Sequence, residues 1–212
     1  MSLIGYLTRI HFAENVLTDA LGEELARLKA TRPIVLIDDD SGADDGLGLL
    51  EDALPANCNA VWAPKTSAHK AQHPRCAFLD SLRHQIRDAG CDVIVAFGGR
   101  TALSTGRRLA NATRAPLPLI AVPTTTSDMG LASGTPASRC KTLPAAVLCD
   151  PILTYSLDAP RTAAFGFDAL THCIEAFLAP GYNPPADGIA LEGIHRAFRY
   201  LERAVAADRS PE

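Results

Sequence analysis

The 212-residue sequence contains no apolar run approaching the ~18–20 residues that a membrane span needs, which excludes a helical membrane anchor within it. Its first residues, MSLIGYLTRIHF, lack a basic stretch followed by an apolar core, so no secretion signal is read there. No CxxC pair is present. Cys58, Cys76, Cys91, Cys140, Cys149 and Cys173 are scattered, as expected of reduced thiols in a cytoplasm that behave as small buried hydrophobes. A basic excess is missing too. Against 24 Asp and Glu stand 20 Lys and Arg, a net charge of −4, so neither nucleic acid nor an anionic membrane is an expected partner. Internal repeats and low-complexity stretches are also absent.

What is present is ordinary globular composition, 47% hydrophobic and 21% charged, with ample apolar side chain for a core. Leu3–Phe12 reads as a strand, and Asn15 to Lys29 as a helix with Leu17, Leu21, Leu25 and Leu28 on one face. Pro33–Asp38 is a continuous apolar run ending in acid, the pattern of a strand buried on both sides of a parallel sheet. A helix around Gly46–Ala53, a short strand at Ala60–Ala63 and a helix at Phe78–Ala89 follow. Then come a strand at Cys91–Phe97, a helix at Thr101–Asn111 and a strand at Leu117–Val122. This alternation predicts an α/β domain with a mostly parallel, Rossmann-like sheet. It stops near Pro151. From Ala159 onward the signals are helical, at Thr162–Leu178 and Asp187–Ala207, with Pro180, Pro184 and Pro185 between them. The expected division is an α/β domain over 1–155 and the start of an all-helical domain over 156–212.

Four places carry candidate chemistry. The strand ending in Gly98-Gly99 leads straight into a helix, and glycines there let backbone approach a ligand while the helix start offers N–H groups to a phosphate. A plain tight turn fits the same residues. Asp38, Asp39 and Asp40 lie where a strand gives way to its loop, placed to bond the ribose hydroxyls of NAD and to repel the extra phosphate of NADP. A solvated acidic loop is the other reading. Pro123-Thr124-Thr125-Thr126-Ser127 sets four hydroxyls after a strand, for a ligand's oxygens or for the loop's own backbone. Asp168 and His172 are four residues apart on one helix, so they share a face about 6 Å apart along the axis. That spacing suits one divalent cation or a hydrogen-bonded pair. Glu175 lies on nearly the same stripe, where it could orient a ligand. A further group, His69, His73 and Cys76, has metal-like spacing, but Pro74 breaks any shared helix face.

These pieces stand in the order found in the iron-containing (group III) alcohol dehydrogenases. Asp150-Pro151-Ile152-Leu153, then Gly166-Phe-Asp168-Ala-Leu-Thr-His172-Cys-Ile-Glu175-Ala, then Asn183-Pro184-Pro-Ala-Asp187 resemble the family pattern DPxL…TGxDALxHxxEA…NPxSD. Pro123-Thr124-Thr125 resembles the start of its PTTxxTGSE loop, and Gly98-Gly99-Arg100-Thr101 occupies the place of GGGS. Arg100, Ser104 and Arg107 depart from that motif. The resemblance implies a dehydroquinate synthase-like architecture, an NAD-binding α/β domain followed by a helical metal-binding domain. It implies NAD, in preference to NADP, and a divalent Fe²⁺ or Zn²⁺. Asp168 and His172 become the first two metal ligands. Gly98, Gly99 and Thr101 hold the cofactor diphosphate, Thr124 and Thr125 line the cofactor cleft, and Asp38 or Asp39 contacts the adenosine ribose.

The activity implied is hydride transfer between a nicotinamide and a small alcohol or aldehyde, in a cytoplasmic homo-oligomer. Family members run to roughly twice this length, and their two later ligand histidines have no counterpart here. His195 follows His172 too soon to match either. The expectation is therefore a fragment or truncated gene product, or a chain whose partner half comes from elsewhere, with weak metal binding and little turnover. The rival readings are a metal-independent maleylacetate reductase-like enzyme, a non-catalytic NAD-binding fragment, and a sugar-phosphate cyclase, whose motifs are not visible.

Overall fold

A computed structural model describes residues 8–38, 43–66, 77–112, 116–125 and 143–207. The chain divides into two compact units. The described part of one runs from Thr8 to Thr154, and that of the other from Tyr155 to Ala207.

Among the described residues the first unit builds one parallel sheet of six strands in the order β1-β6-β5-β4-β2-β3. The strands are β1 (Arg9–Phe12), β2 (Pro33–Ile37), β3 (Val61–Trp62), β4 (Val93–Gly98), β5 (Leu119–Pro123) and β6 (Ala146–Cys149). Between them run α1 (Val16–Arg27), α2 (Ala43–Ala53), α3 (Ala77–Ala89) and α4 (Arg100–Ala112), and a 3-10 turn, Pro151–Thr154, follows β6. Every residue of β2, β4, β5 and β6 is buried, because alternate side chains meet helices on opposite faces. On one face Val35, Ile37, Val95, Phe97 and Val122 pack with Leu17, Leu21 and Leu25 of α1 and Leu50 of α2. On the other, Ile34, Leu36, Ile94, Ala96 and Leu119 pack with Leu79, Leu82 and Ile86 of α3 and Leu103 and Leu109 of α4.

The elements match the expected alternation closely, with one strand added. The sequence reading names no strand between Val122 and Pro151, yet β6 lies there, pairing β1 on one side and β5 on the other. Four residues are too few to show a period, and only two parallel neighbours make this segment a strand. For the strand expected at Leu3–Phe12, the described part is β1, Arg9–Phe12.

An ionic cluster ties the edge strand β1 to α1. Glu24, 1% exposed, accepts hydrogen bonds from Arg9 Nε at 2.6 Å and Arg27 Nε at 2.6 Å, and its Oε1 lies 2.8 Å from His11 Nε2. Burial pushes the Glu24 carboxyl up, but the bonds from His11, Arg27 and Arg9 outweigh it and hold the group below its ordinary range.

The second unit is a helical pair, α5 (Ala159–Leu178) and α6 (Pro184–Ala206). Asp158 caps α5, accepting the N–H of Arg161 at 2.9 Å, and Pro160 sits in the first turn, where its missing N–H costs nothing. Asn183 caps α6 in the same way through the N–H of Ala186. Pro184 and Pro185 therefore open α6 rather than separating the two helices. Glycines set the approach of the pair. A Cβ on Gly166 would lie 2.2 Å from Leu201 Cδ1, and one on Gly193 2.6 Å from Cys173 Sγ.

Candidate functional site

In the sheet, β2 leads outward to β3, while β4, β5 and β6 run the other way. The carboxyl ends of β2 and β4 thus form the point where winding reverses, the place where open α/β sheets bind ligands. Asp38 follows β2 there, and Gly98-Gly99 close β4.

Gly98 has φ +144°, a conformation that side chains with a Cβ avoid. A Cβ on it would also lie 2.5 Å from Asp38 Oδ1 and 3.0 Å from Ala102 Cβ. The turn therefore needs glycine twice over, once for its backbone angle and once for the space. Asp38 is 1% exposed. Its Oδ1 accepts the Gly99 N–H at 3.2 Å and its Oδ2 the Ala102 N–H at 2.8 Å. Thr101, half-buried in the first turn of α4, lies between those two donors in sequence.

Next along the edge, the Thr124 N–H donates to the Gly98 carbonyl at 3.0 Å. Thr124 and Thr125 are buried, at 1% and 3% exposed. The structure thus brings Asp38, Gly98, Gly99 and Thr124 into one continuous edge. Asp39, Asp40, Thr126 and Ser127 lie outside the described residues, as do His69, His73 and Cys76.

Sequence reasoning missed two contributors. Gly106 lies two turns into α4, and a Cβ there would meet Ala96 Cβ at 2.9 Å and Leu119 Cδ1 at 3.1 Å. It lets α4 settle on the sheet, so that the helix start points past the end of β4. Its signal was available as a third glycine seven residues after Gly99. Thr66 pairs with Asp38 in an isolated parallel bridge and donates its N–H to the Ile37 carbonyl at 2.8 Å. It is fully buried, and its hydroxyl, like that of Thr124, has no hydrogen-bond partner among the described residues. Two such hydroxyls at the same end of the sheet as a glycine turn fit a polar ligand that would satisfy them, and no spacing in the sequence announces Thr66.

A second buried carboxylate does a related job away from this edge. Asp150, at the end of β6, accepts the N–H groups of Asn15 at 3.2 Å, Leu17 at 3.2 Å and Ile152 at 3.1 Å. It holds the start of α1 and the turn after β6, a structural role for the aspartate of Asp150-Pro151-Ile152-Leu153.

In the helical unit, Asp168 and His172 stand one turn apart on α5, with Oδ2 and Nδ1 3.8 Å apart and side chains 32% and 51% exposed. A carboxylate and an imidazole at that distance suit one divalent ion. Among the described residues no group of three or more His, Cys, Asp or Glu is placed to hold a metal, so the pair would furnish at most two donors, where a catalytic centre usually takes three from protein. Glu175 is exposed on the same helix. An open cavity of about 560 Å³ lies where the start of α5 meets the end of α6, lined by Tyr155, Leu157, Asp158, Thr162 and Val205 but by neither Asp168 nor His172.

Three of the described thiols are poorly disposed to act as nucleophiles. Burial pushes Cys149 up to about 11 and raises Cys91 and Cys58 as well, the latter two also through the nearby charge of Asp92. No helix among the described residues is long and apolar enough to cross a membrane.

A family model described as iron-containing alcohol dehydrogenase matches residues 8–151, more than half of the chain. The chain belongs to the iron-containing alcohol dehydrogenase family. It is 34% identical to a 4-hydroxybutyrate dehydrogenase of Cupriavidus necator over 96% of its own length and 60% of that protein. A maleylacetate reductase structure from Agrobacterium tumefaciens matches 98% of this chain and 59% of its own, at 25% identity and a TM-score of 0.78. An iron-containing alcohol dehydrogenase structure from Thermococcus thioreducens matches 98% and 62%, at 22% identity and a TM-score of 0.83, which speaks to the fold alone. The chain thus spans about 60% of the length of these relatives.

Proposed function

We propose that the chain supplies the dinucleotide site and the first two metal ligands of an NAD-dependent alcohol dehydrogenase or aldehyde reductase. The observation that supports this most is the glycine turn at the winding reversal of the sheet, with buried threonine hydroxyls that lack partners among the described residues, Thr66 and Thr124, at the same sheet end. When bound, NAD⁺ would accept the hydride from the alcohol, or NADH would donate it to the aldehyde, and a divalent ion would supply Lewis acidity toward the substrate oxygen.

The chain's own groups have these parts. Gly98 and Gly99 let the backbone approach the diphosphate, and Thr101 offers the N–H and hydroxyl of a helix start. Thr124 and Thr125 line the cofactor from β5. The acidic segment faces the adenosine ribose and favours NAD over NADP. Asp38, which also accepts the N–H groups of Gly99 and Ala102, or Asp39 would make the ribose contact. Asp168 and His172 hold the Fe²⁺ or Zn²⁺ on one side, with its remaining ligands supplied from elsewhere. The substrate is a small alcohol or aldehyde, and the likeness to 4-hydroxybutyrate dehydrogenase makes 4-hydroxybutyrate the first to assay. A cytoplasmic homo-oligomer remains the setting we propose.

Calorimetric titration of the 212-residue chain with NAD, then with Zn²⁺ or Fe²⁺, tests both halves. NAD binding together with weak metal binding that Asp168→Ala and His172→Ala abolish is the expected result. A metal isotherm unchanged in those variants would remove the metal role. Nucleotide binding with no metal binding at all would favour a non-catalytic NAD-binding module. The likeness to maleylacetate reductase keeps a metal-independent reductase as the second reading, and hydride transfer insensitive to chelators would favour it.

A further inference from the structure

The helical pair has one side on which large apolar side chains of both helices stand in water. At about 100° per residue, Phe167, Ile174 and Leu178 fall within about 40° of one another on α5, and Leu191 and Phe198 within about 20° on α6. The line of contact between the helices passes through Gly166 and Cys173 on α5 and through Leu201 and Gly193 on α6. Each stripe lies about 110° round its helix from that line, in the same rotational sense along the chain. Equal turns in one sense lead two antiparallel helices to the same side of their pair, so the five side chains share a face. Gly166 meets Leu201, which puts Phe167 and Phe198 at one end of it, and Gly193 meets Cys173, which sets Ile174 level with Leu191. The five are 37% to 76% exposed. With about 200 Å² to a fully exposed aromatic side chain, and somewhat less to Ile or Leu, they leave roughly 500 Å² of apolar surface in water. A contiguous patch of that size marks an interaction site.

We propose that this face is an interface between two copies of the chain, which pair about a two-fold axis and close α5 and α6 into a four-helix bundle. The area agrees with that occupant. Burying the face in both copies removes about 1,000 Å², the lower limit of a specific interface and the range of transient ones. The dissociation constant is therefore on the order of tens of micromolar, and the dilute chain is a monomer with Phe167 in water. The border of the face on α6 holds His195, Arg199 and Glu202, all exposed. Both signs of charge thus rim it, and two copies meet without a repulsive edge. Asp168 and His172 leave α5 about 100–140° away from its apolar stripe, outside the contact. This face gives the homo-oligomer proposed above its surface, and the pairing depends on neither nucleotide nor metal.

Sedimentation velocity of the 212-residue chain, from about 1 to about 200 µM, reads the association directly. A monomer at the low end and a dimer, with nothing larger, at the high end are expected. Phe167→Ser and Phe198→Ser replace exposed side chains, and circular dichroism checks that both variants fold. Each is expected to raise the dissociation constant by about tenfold or more. Ile189→Ser is the control. Ile189 is 67% exposed, but it lies about 170° round α6 from Leu191 and Phe198, so its loss should change the constant by less than about twofold. A wild-type chain that stays monomeric throughout would overturn the proposal and leave the face to a different polypeptide. Dimers that Phe167→Ser and Phe198→Ser do not weaken would also overturn it, while keeping a homo-oligomer built through another surface. Association that runs on past the dimer would rule out the two-fold pairing.

Discussion

The helical pair is built from sequence no less apolar than the sheet unit, yet the two finish their burial to different degrees. In the sheet unit β2, β4, β5 and β6 are covered on both faces by helices of the same unit. In α5 and α6 the described residues classed as buried are Leu170 and Ala190, while Phe167, Phe177, Leu178, Ile189 and Phe198 stay exposed. A parallel sheet recruits its own covering, because each crossover returns a helix to its surface. Two antiparallel helices bury one stripe each, against one another, and further apolar residues around each helix remain outside. The carboxylates follow the same division. Asp38 and Asp150 are enclosed and committed to backbone N–H groups, whereas Asp168 stays partly open beside His172.

Four experiments would break or sharpen this contrast. The largest effect is expected in the closed unit. Phe97→Ala should cost about 3–5 kcal/mol of unfolding free energy in urea, while Phe167→Ser, 62% exposed in wild type, should change it by less than about 0.5 kcal/mol. Equal losses would mean that α5 is covered after all. Gly98→Ala comes next, with about 2–4 kcal/mol expected from its backbone angle and its approach to Asp38. A neutral result would place the strain elsewhere.

Glu24→Gln should cost roughly 1–3 kcal/mol at pH 7, reduced from the value for a fully buried pair because Arg9 and Arg27 are partly exposed. The pH dependence has a definite sign. The Glu24 pKa is lower folded than unfolded, so its contribution is present in full above the ordinary value of 4.5 and is lost as pH falls below it. Denaturation midpoints of wild type should therefore drop below pH 4.5 more steeply than those of Glu24→Gln. The smallest effect concerns the thiols. With its pKa near 11, Cys149 should resist iodoacetamide at pH 8 in the folded chain and react only on unfolding. Prompt labelling by mass spectrometry would show that the end of β6 opens.

The strands most legible in the sequence were those buried on both faces. Pro33–Ile37 and Val93–Phe97 are continuous apolar runs of strand length, and the Gly-Gly after the second announced its turn. β6 was illegible because its strand character lies in its neighbours β1 and β5. Pro184 and Pro185 misled as breakers because a proline in the first turn and one between helices look alike until the cap at Asn183 is seen. At the site, the glycines and threonines were legible as loop chemistry after strands. Thr66 was not, since it reaches the edge only through its bridge to Asp38. Asp38 itself was legible as a residue, but not its bonds to the N–H groups of Gly99 and Ala102.

Local chemistry alone determined the α/β character, the glycine turn, the family, and the carboxylate and imidazole one turn apart on α5, because periodicity and short-range spacing are properties of a few consecutive residues. The tertiary structure alone decided the strand order, and with it the meeting of Asp38 with a helix start 61 residues away. Which backbone N–H a buried carboxylate finds depends on which strands lie side by side, and no spacing along the chain records that.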